Sequence, residues 1–243
     1  MNARLAYIWR HPVKGIGSEA CQTVELTPDG AVDMDRAWAL MTDAAADTDA
    51  WQPRRNFVQV ASGPRLAAVT AQTRGPIIDL SHPDRPPLAL DPVTGGPNLA
   101  TWLGDLWPQD RPTPNRLIRA RDHGMTDTNY ASVSVGNLAS LRALSERAGQ
   151  DIDMRRFRIN LWLDGLAPWA ETDLLLHDIT LGTARLTPVE PIERCRAPDA
   201  SPATGARDVS ILKLLQDGWD TRNFGINFKV ATPGTLSVGD LLQ

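Results

Sequence analysis

Residues 156–164 read Arg156-Phe157-Arg158-Ile159-Asn160-Leu161-Trp162-Leu163-Asp164. From Arg158 to Asp164 polar and apolar side chains alternate, the period of a strand with one face against a core. On such a strand Arg158 and Asn160, two apart, leave one face together while Ile159 and Leu161 point inward. A pair of polar side chains offered on one face suits a shared ligand. The bland alternative is a solvent-facing strand edge.

Working outward, the chain is β on the C-terminal side. Ile179–Leu181 and Ala184–Val189 make a hairpin across Gly182, Phe224–Val230 alternates, and Gly234–Asp240 is a strand between two glycine turns. A short helix is expected at Val209–Leu215 with Asp208 as its N-cap. On the N-terminal side, Gly136–Gly149 is the clearest helix. Leu138, Leu141, Leu144 and Ala148 share a face, Asn137 is the N-cap and Gly149 the C-cap. The first hundred residues hold short apolar runs at Leu5–Trp9, Thr23–Leu26, Ala37–Met41, Phe57–Val60, Leu66–Ala71 and Ile77–Leu80, each bounded by Gly, Pro, Asp or Ser. Leu99–Leu106 reads as a short helix, and the Pro-rich Trp107–Asn115 forces an extended connection. The fold class is therefore mostly β with a few helices, α+β, with a boundary near that connection.

A chain of 243 residues can bury a full core. With 42% hydrophobic and 22% charged residues it is an ordinary globular composition. The net charge of −4 is spread along the chain without a Lys/Arg-rich run, which argues against nucleic acid as a partner. No apolar stretch approaches the roughly 20 residues that span a bilayer; even Leu99–Trp107 is broken by Asp105. Met1–Pro12 reads as a strand rather than a signal peptide, so no membrane partner and a cytoplasmic location are expected.

Common catalytic signatures are missing: no GxxxxGK[ST], complete GxGxxG, HExxH, GxSxG or CxxC occurs. Gly15-Ile16-Gly17 reads as a turn. His11, His82, His123 and His177 are scattered without ligand spacing, as surface or loop residues, which disfavours zinc chemistry. Cys21 and Cys195 are too few for a disulfide scaffold or an iron–sulfur site. A pairing between them stays open, and in a reducing cytosol each reads as a free thiol, by default a small buried hydrophobe.

Several phrases of the C-terminal part stand in a specific order: Arg156-Phe157-Arg158-Ile159-Asn160, Pro168-Trp169-Ala170-Glu171, Ile179-Thr180-Leu181-Gly182, Arg194-Cys195, Pro202-Ala203-Thr204-Gly205, Asn223-Phe224-Gly225, and the closing Pro233-Gly234-Thr235 with Val238-Gly239-Asp240. Each alone is weak; together they resemble the MOSC domain, named for the C-terminal region of molybdenum cofactor sulfurases. Arg10-His11-Pro12-Val13-Lys14-Gly15 and Asp35-Arg36-Ala37-Trp38 are similar to the β-barrel domain that precedes MOSC in the mitochondrial amidoxime-reducing component and its bacterial relatives. The resemblance implies an N-terminal MOSC-associated β-barrel domain over residues 1–110, packed against a MOSC β-barrel over 111–243.

It also implies a cofactor and a chemistry. The motif cysteine of that family is the single protein ligand to molybdenum, which makes Cys195 the expected metal ligand and catalytic residue. A soft thiolate suits a metal already held by the dithiolene sulfurs of molybdopterin, and Arg194 and Arg196 beside it favour the anion. Lys14, Arg36, Asn137, Arg158, Asn160 and Arg194 stand at or near positions that contact the molybdenum cofactor, although Asn137 also reads simply as a helix cap. Arg54 and Arg55 lie near a further basic position, with no sign of which turns inward. The family association with pyridoxal phosphate comes with the resemblance too. This chain departs from the pattern at Gly15, where relatives usually have Ser, at Glu193, where small hydroxyl residues are common, and at Ser201, where Asp precedes Pro-x-Thr-Gly. The implied function is an oxidoreductase that reduces small N-hydroxylated compounds. Its electrons would come from a separate donor protein, a flavin reductase, a cytochrome b5-type protein or a ferredoxin, because the chain has no cysteine cluster of its own. The alternatives are a cofactor or sulfur carrier without turnover, with a persulfide on Cys195, and a scaffold with a degenerate site. Since Lys14 and Arg36 belong to the first domain and Cys195 to the second, the cofactor is expected at their interface.

Overall fold

The computed structural model describes residues 3–29 and 31–243. Along the chain run β1 (Arg4–Arg10), β2 (Glu19–Cys21), β3 (Thr23–Thr27), β4 (Ala31–Val32), β5 (Trp38–Thr42), β6 (Thr70–Arg74), β7 (Ile77–His82), β8 (Arg85–Leu90), α1 (Gly96–Leu103), β9 (Pro114–Arg119) and β10 (Val133–Asn137). Then come α2 (Leu138–Ala148), β11 (Leu161–Asp164), β12 (Ile179–Leu181), β13 (Ala184–Glu193), α3 (Ile211–Trp219), β14 (Asn223–Thr232) and β15 (Gly234–Ser237). Strand makes up 36% and helix 22%, the mostly β, α+β class read from the sequence. The strand expected over Met1–Pro12 is β1; Met1 and Asn2 lie outside the described residues. Among the described residues no helix is long and apolar enough to cross a membrane.

Seven strands form one curled sheet in the order β12-β13-β14-β10-β11-β1-β2. Neighbours are antiparallel except β10 and β11, which run parallel. A parallel pair needs a crossover, and α2 supplies it. Asn137 makes the join: it ends β10, and its Oδ1 accepts the Ala139 N–H at 2.9 Å, while Gly149 at φ 67° closes the helix. Both caps follow the sequence. Along β11 the side chains alternate between two cores, Leu161 and Leu163 on one face and Trp162 on the other. The Trp162 face is covered by α2 and α3 through Leu141, Leu144, Ile211 and Leu215. The opposite face packs against Val24, Leu26 and Leu236 of the small β15-β3-β4 sheet. A further core, with Val13, Trp38, Leu40, Leu99 and Leu117, fills the region of the β5-β9 ladder, the β6-β7-β8 sheet and α1.

The sheets do not divide at residue 110/111. β9 lies past that point but pairs with β5, Leu40 opposite Leu117. β1 and β2, from the first residues, sit at the end of the seven-stranded sheet, and β3 pairs with β15. A Pro-rich stretch marks where the chain must extend; it carries no information about which strand it will pair with.

Other departures have local causes. Phe57–Val60 is not a strand: Phe57 makes a single bridge to Met41 and Val58 N–H bonds Leu40 O at 2.9 Å, after which the chain turns. Leu66 and Ala68 are buried on a 3₁₀ turn, Pro64–Ala68, and β6 begins only at Thr70. The helix expected at Val209–Leu215 runs from Ile211 to Trp219. Asp208 does not cap it. Its carboxylate takes the Arg156 guanidinium at 2.8 and 2.9 Å, and the Ile211 N–H goes to Asp199 Oδ1 at 2.9 Å. His11 and His82 are buried rather than superficial. Cys21 and Cys195 are both free and half-buried.

Candidate functional site

Four connections meet at a cavity of about 200 Å³. The β1–β2 turn brings Lys14 and Gly15; the β4–β5 connection, Arg36; the segment before β11, Arg158 and Asn160; the segment after β13, Cys195. The two N-terminal motifs are zipped together by backbone bonds: Arg36 N–H to His11 O at 2.7 Å, Lys14 N–H to Trp38 O at 2.8 Å and Trp38 N–H to Pro12 O at 3.1 Å. The turn at Gly15-Ile16-Gly17 holds both glycines at positive φ, 72° and 74°. A Cβ on Gly15 would lie 2.5 Å from Val58 O, so glycine is required at this position.

Arg158 is not on a strand. It closes a 3₁₀ turn, Met154–Phe157, in the left-handed region at φ 51°. Its side chain still enters the cavity wall, where Nη1 donates to Gly17 O at 2.9 Å and Nη2 to Val13 O at 3.3 Å, clamping the glycine turn. Asn160 is 1% exposed and acts as a strut. Its Oδ1 accepts from Ser134 N–H at 3.2 Å and Ser134 Oγ at 2.8 Å, and its Nδ2 donates to Trp9 O at 3.1 Å. Arg36, also left-handed at φ 49°, reaches across with Nη2 to Arg158 O at 2.7 Å. Arg194 gives its hydrogen bonds to backbone carbonyls rather than to the cysteine: Nε donates to Phe224 O at 2.8 Å and Nη1 to Phe157 O at 2.9 Å, with the Phe157 ring 5.4 Å away. Arg196 projects outward to Asp199 at 3.5 Å. Cys195 Sγ accepts the Ala197 N–H at 3.4 Å, a contact suited to an electron-rich sulfur.

Lys14 is buried and spoken for, donating from Nζ to Met125 O at 2.9 Å and Asp127 Oδ1 at 2.5 Å. It ties the loop before β10 to the cavity. Of the two adjacent arginines, Arg54 lines the cavity, 3.9 Å from Asp127, and Arg55 does not. Asn137 is not brought to the site. Besides capping α2 it donates to Ala167 O at 2.7 Å and Glu171 Oε2 at 2.9 Å, inside the protein. Sequence reasoning missed Ser134, Asp127 and Asp35 as parts of the site. Only Asp35 had a signal, its place beside Arg36 in a quoted motif.

The wall is electropositive. Burial, and then Arg36, push Arg158 down to about 9; burial pushes Arg194 down to about 9 as well. Both remain charged at neutral pH. Among the described residues neither forms a direct ion pair, and their guanidinium hydrogen bonds go to backbone carbonyls. A half-buried and a buried guanidinium, neither paired directly with a carboxylate, beside a half-buried thiol, form a donor set for an anionic group bound through sulfur, and molybdopterin with its phosphate and metal has that chemistry.

The chain belongs to the MOSC-domain family: the family model for the MOSC domain matches residues 122–243. The model for the MOSC N-terminal beta barrel domain matches residues 2–101, so the chain carries the two modules in that order. MOSC domains are associated with molybdenum cofactor sulfurase-like proteins, and the family is linked to molybdenum cofactor binding. No curated protein matches significantly. Among solved structures, the YUAD protein from Bacillus subtilis is 13% identical over 100% of this chain and 94% of its own, with a TM-score of 0.46. YiiM from Geobacillus stearothermophilus is 23% identical over 45% of this chain and 52% of its own, with a TM-score of 0.34.

Proposed function

We propose that the chain binds the molybdenum cofactor in this cavity and reduces small N-hydroxylated compounds with electrons from a separate protein. The observation that carries the reading is the meeting of Cys195 with Arg36, Arg158 and Arg194 at one cavity, from three separate stretches of chain. Cys195 would ligate the metal. Arg158 and Arg36, with Arg54 nearer the mouth, would hold the anionic part of the pterin; Arg suits such a contact because its planar fork can give two bonds to one phosphate. Asn160, Lys14 and Arg194 act one step back, fixing the backbone that carries the others. When bound, the cofactor supplies two-electron oxygen-atom transfer. The chain contributes a fixed thiol, a desolvated cationic wall and a mouth in which Asp127 and Glu193 are the exposed carboxylates. The electron donor, a flavin reductase, cytochrome b5-type protein or ferredoxin, is likewise part of the proposal.

Protein isolated with its cofactor and given a chemical or protein electron donor is expected to reduce amidoximes to amidines, or hydroxylaminopurines to aminopurines, with release of water. Cofactor-loaded protein inactive on both classes with every donor would leave the carrier reading, in which Cys195 passes on sulfur or cofactor without turnover.

A further inference from the structure

Asp35 has no part in the cofactor reading, yet its carboxylate is held from three directions directly behind the cavity wall. It is 4% exposed. Oδ1 accepts the backbone N–H of His11 at 2.7 Å and faces the His11 ring Nδ1 at 3.3 Å; Oδ2 accepts from Arg36 Nη1. Burial, then Arg158 and Arg36, push the His11 ring down to about 3. The ring is therefore neutral and donates from Nδ1. Asp35 thus meets neutral donors on one side and a single cation on the other.

Arg36 is pinned at every other point as well. Its N–H bonds His11 O at 2.7 Å and its carbonyl accepts the Met125 N–H at 2.8 Å, which fixes a left-handed backbone. Nη2 reaches Arg158 O at 2.7 Å and Nη1 lies 3.5 Å from Asn160 Oδ1. An arginine side chain left to itself has many rotamers open to it and would turn away from a second guanidinium. The geometry points to Asp35 as a positioning residue that fixes the Arg36 guanidinium against Arg158, so that the anion seat stands assembled before an anion arrives. This rests on reading the cavity as the seat of an anionic cofactor.

A buried carboxylate behind an anion site has two opposed effects. Counted only as charge, Asp35 repels the anion, and removing it strengthens binding. Acting through Arg36, it strengthens binding, and removing it weakens it. The sign separates the two. The probe is inorganic phosphate, titrated calorimetrically into the full chain purified from a host that cannot make the cofactor. Asp35→Asn keeps an oxygen for the His11 N–H, and it is expected to bind phosphate about tenfold more weakly, the worth of one charge-assisted hydrogen bond. In an Arg36→Ala background, Asp35→Asn is expected to cause no further loss, because Asp35 then has nothing to hold. Phosphate binding equal to or tighter than wild type in Asp35→Asn overturns the assignment, as does an equal further loss in the Arg36→Ala background. Should Asp35→Asn not fold, Asp35→Glu decides: it keeps the charge but moves the carboxylate off the Arg36 guanidinium, so binding is expected to weaken about tenfold, and wild-type affinity overturns the assignment. Wild-type protein that takes no phosphate also overturns it, while molybdenum retention at Cys195, read by elemental analysis, is decided separately.

Discussion

Arg36 and Arg158 face each other in matching strained conformations, at φ 49° and 51°, joined by the Arg36 Nη2 donor on Arg158 O at 2.7 Å. Left-handed backbone costs a residue with a Cβ on the order of 1 kcal/mol, and glycine almost nothing. The Arg36 backbone is held in that region by His11 O and the Met125 N–H, and Arg158 by the 3₁₀ turn it closes, with its N–H on Arg155 O at 3.2 Å. Arg158→Gly is accordingly expected to be about 1 kcal/mol more stable than Arg158→Ala, the reverse of what strand or helix propensity gives. Urea denaturation of the two variants checks the order.

Asn137 reads as a cofactor contact or a cap from sequence, and its bonds are those of a cap. Asn137→Ala removes the Ala139 cap and leaves Ala167 O and Glu171 without their donor. A loss of about 2 kcal/mol is expected. Molybdenum per folded protein is expected to stay at the wild-type level, which a combined melt and metal assay reads directly.

Glu171 gives the protein a pH dependence of known sign. It is 2% exposed, and burial raises its carboxyl above the usual 4.5, against the bonds from Ser140 and Asn137. The native state therefore binds this proton more tightly than the unfolded chain. Its contribution is fullest below the unfolded value and is lost as pH rises through the folded value. Glu171→Gln keeps an oxygen for both donors and has nothing to ionise. Relative to wild type, its stability is expected to improve as pH rises from 4 toward 8; a constant difference across that range would show that Glu171 ionises as freely in the fold as out of it.

Gly15 sits in a turn that leaves no room for a side chain. At φ 72°, with Val58 O 2.5 Å and Gln59 Cα 2.7 Å from a Cβ, serine does not fit. Gly15→Ser is expected to cost more than about 2 kcal/mol, from left-handed strain and overpacking together, and thermal melting measures it.

The elements governed by local chemistry were legible. Asn137 and Gly149 bound α2 as their cap chemistry requires, and Gly182, at φ 53°, turns the β12–β13 hairpin. What was not legible depends on distant partners. Leu66 and Ala68 are buried two apart, as a strand would bury them, yet they lie on a 3₁₀ turn. Arg158 belongs to no residue type that favours positive φ, so the break before Leu161 left no trace in the alternation. The same holds for the site: Cys195, Arg36 and Arg158 stood out by motif, whereas Ser134 and Asp127 enter it only because β10 and Lys14 bring them there. Strand pairing across the Pro-rich connection, β5 with β9, is equally a matter of tertiary fit.

Elemental analysis reads out whether Cys195 holds the cofactor's metal. Wild type and Cys195→Ala, expressed in a cofactor-producing host and matched for folded content by thermal melting, are expected to differ in one respect: molybdenum is stoichiometric in wild type and lost in the variant. Molybdenum retained in full by Cys195→Ala, or absent from wild type, would rule out Cys195 as its ligand.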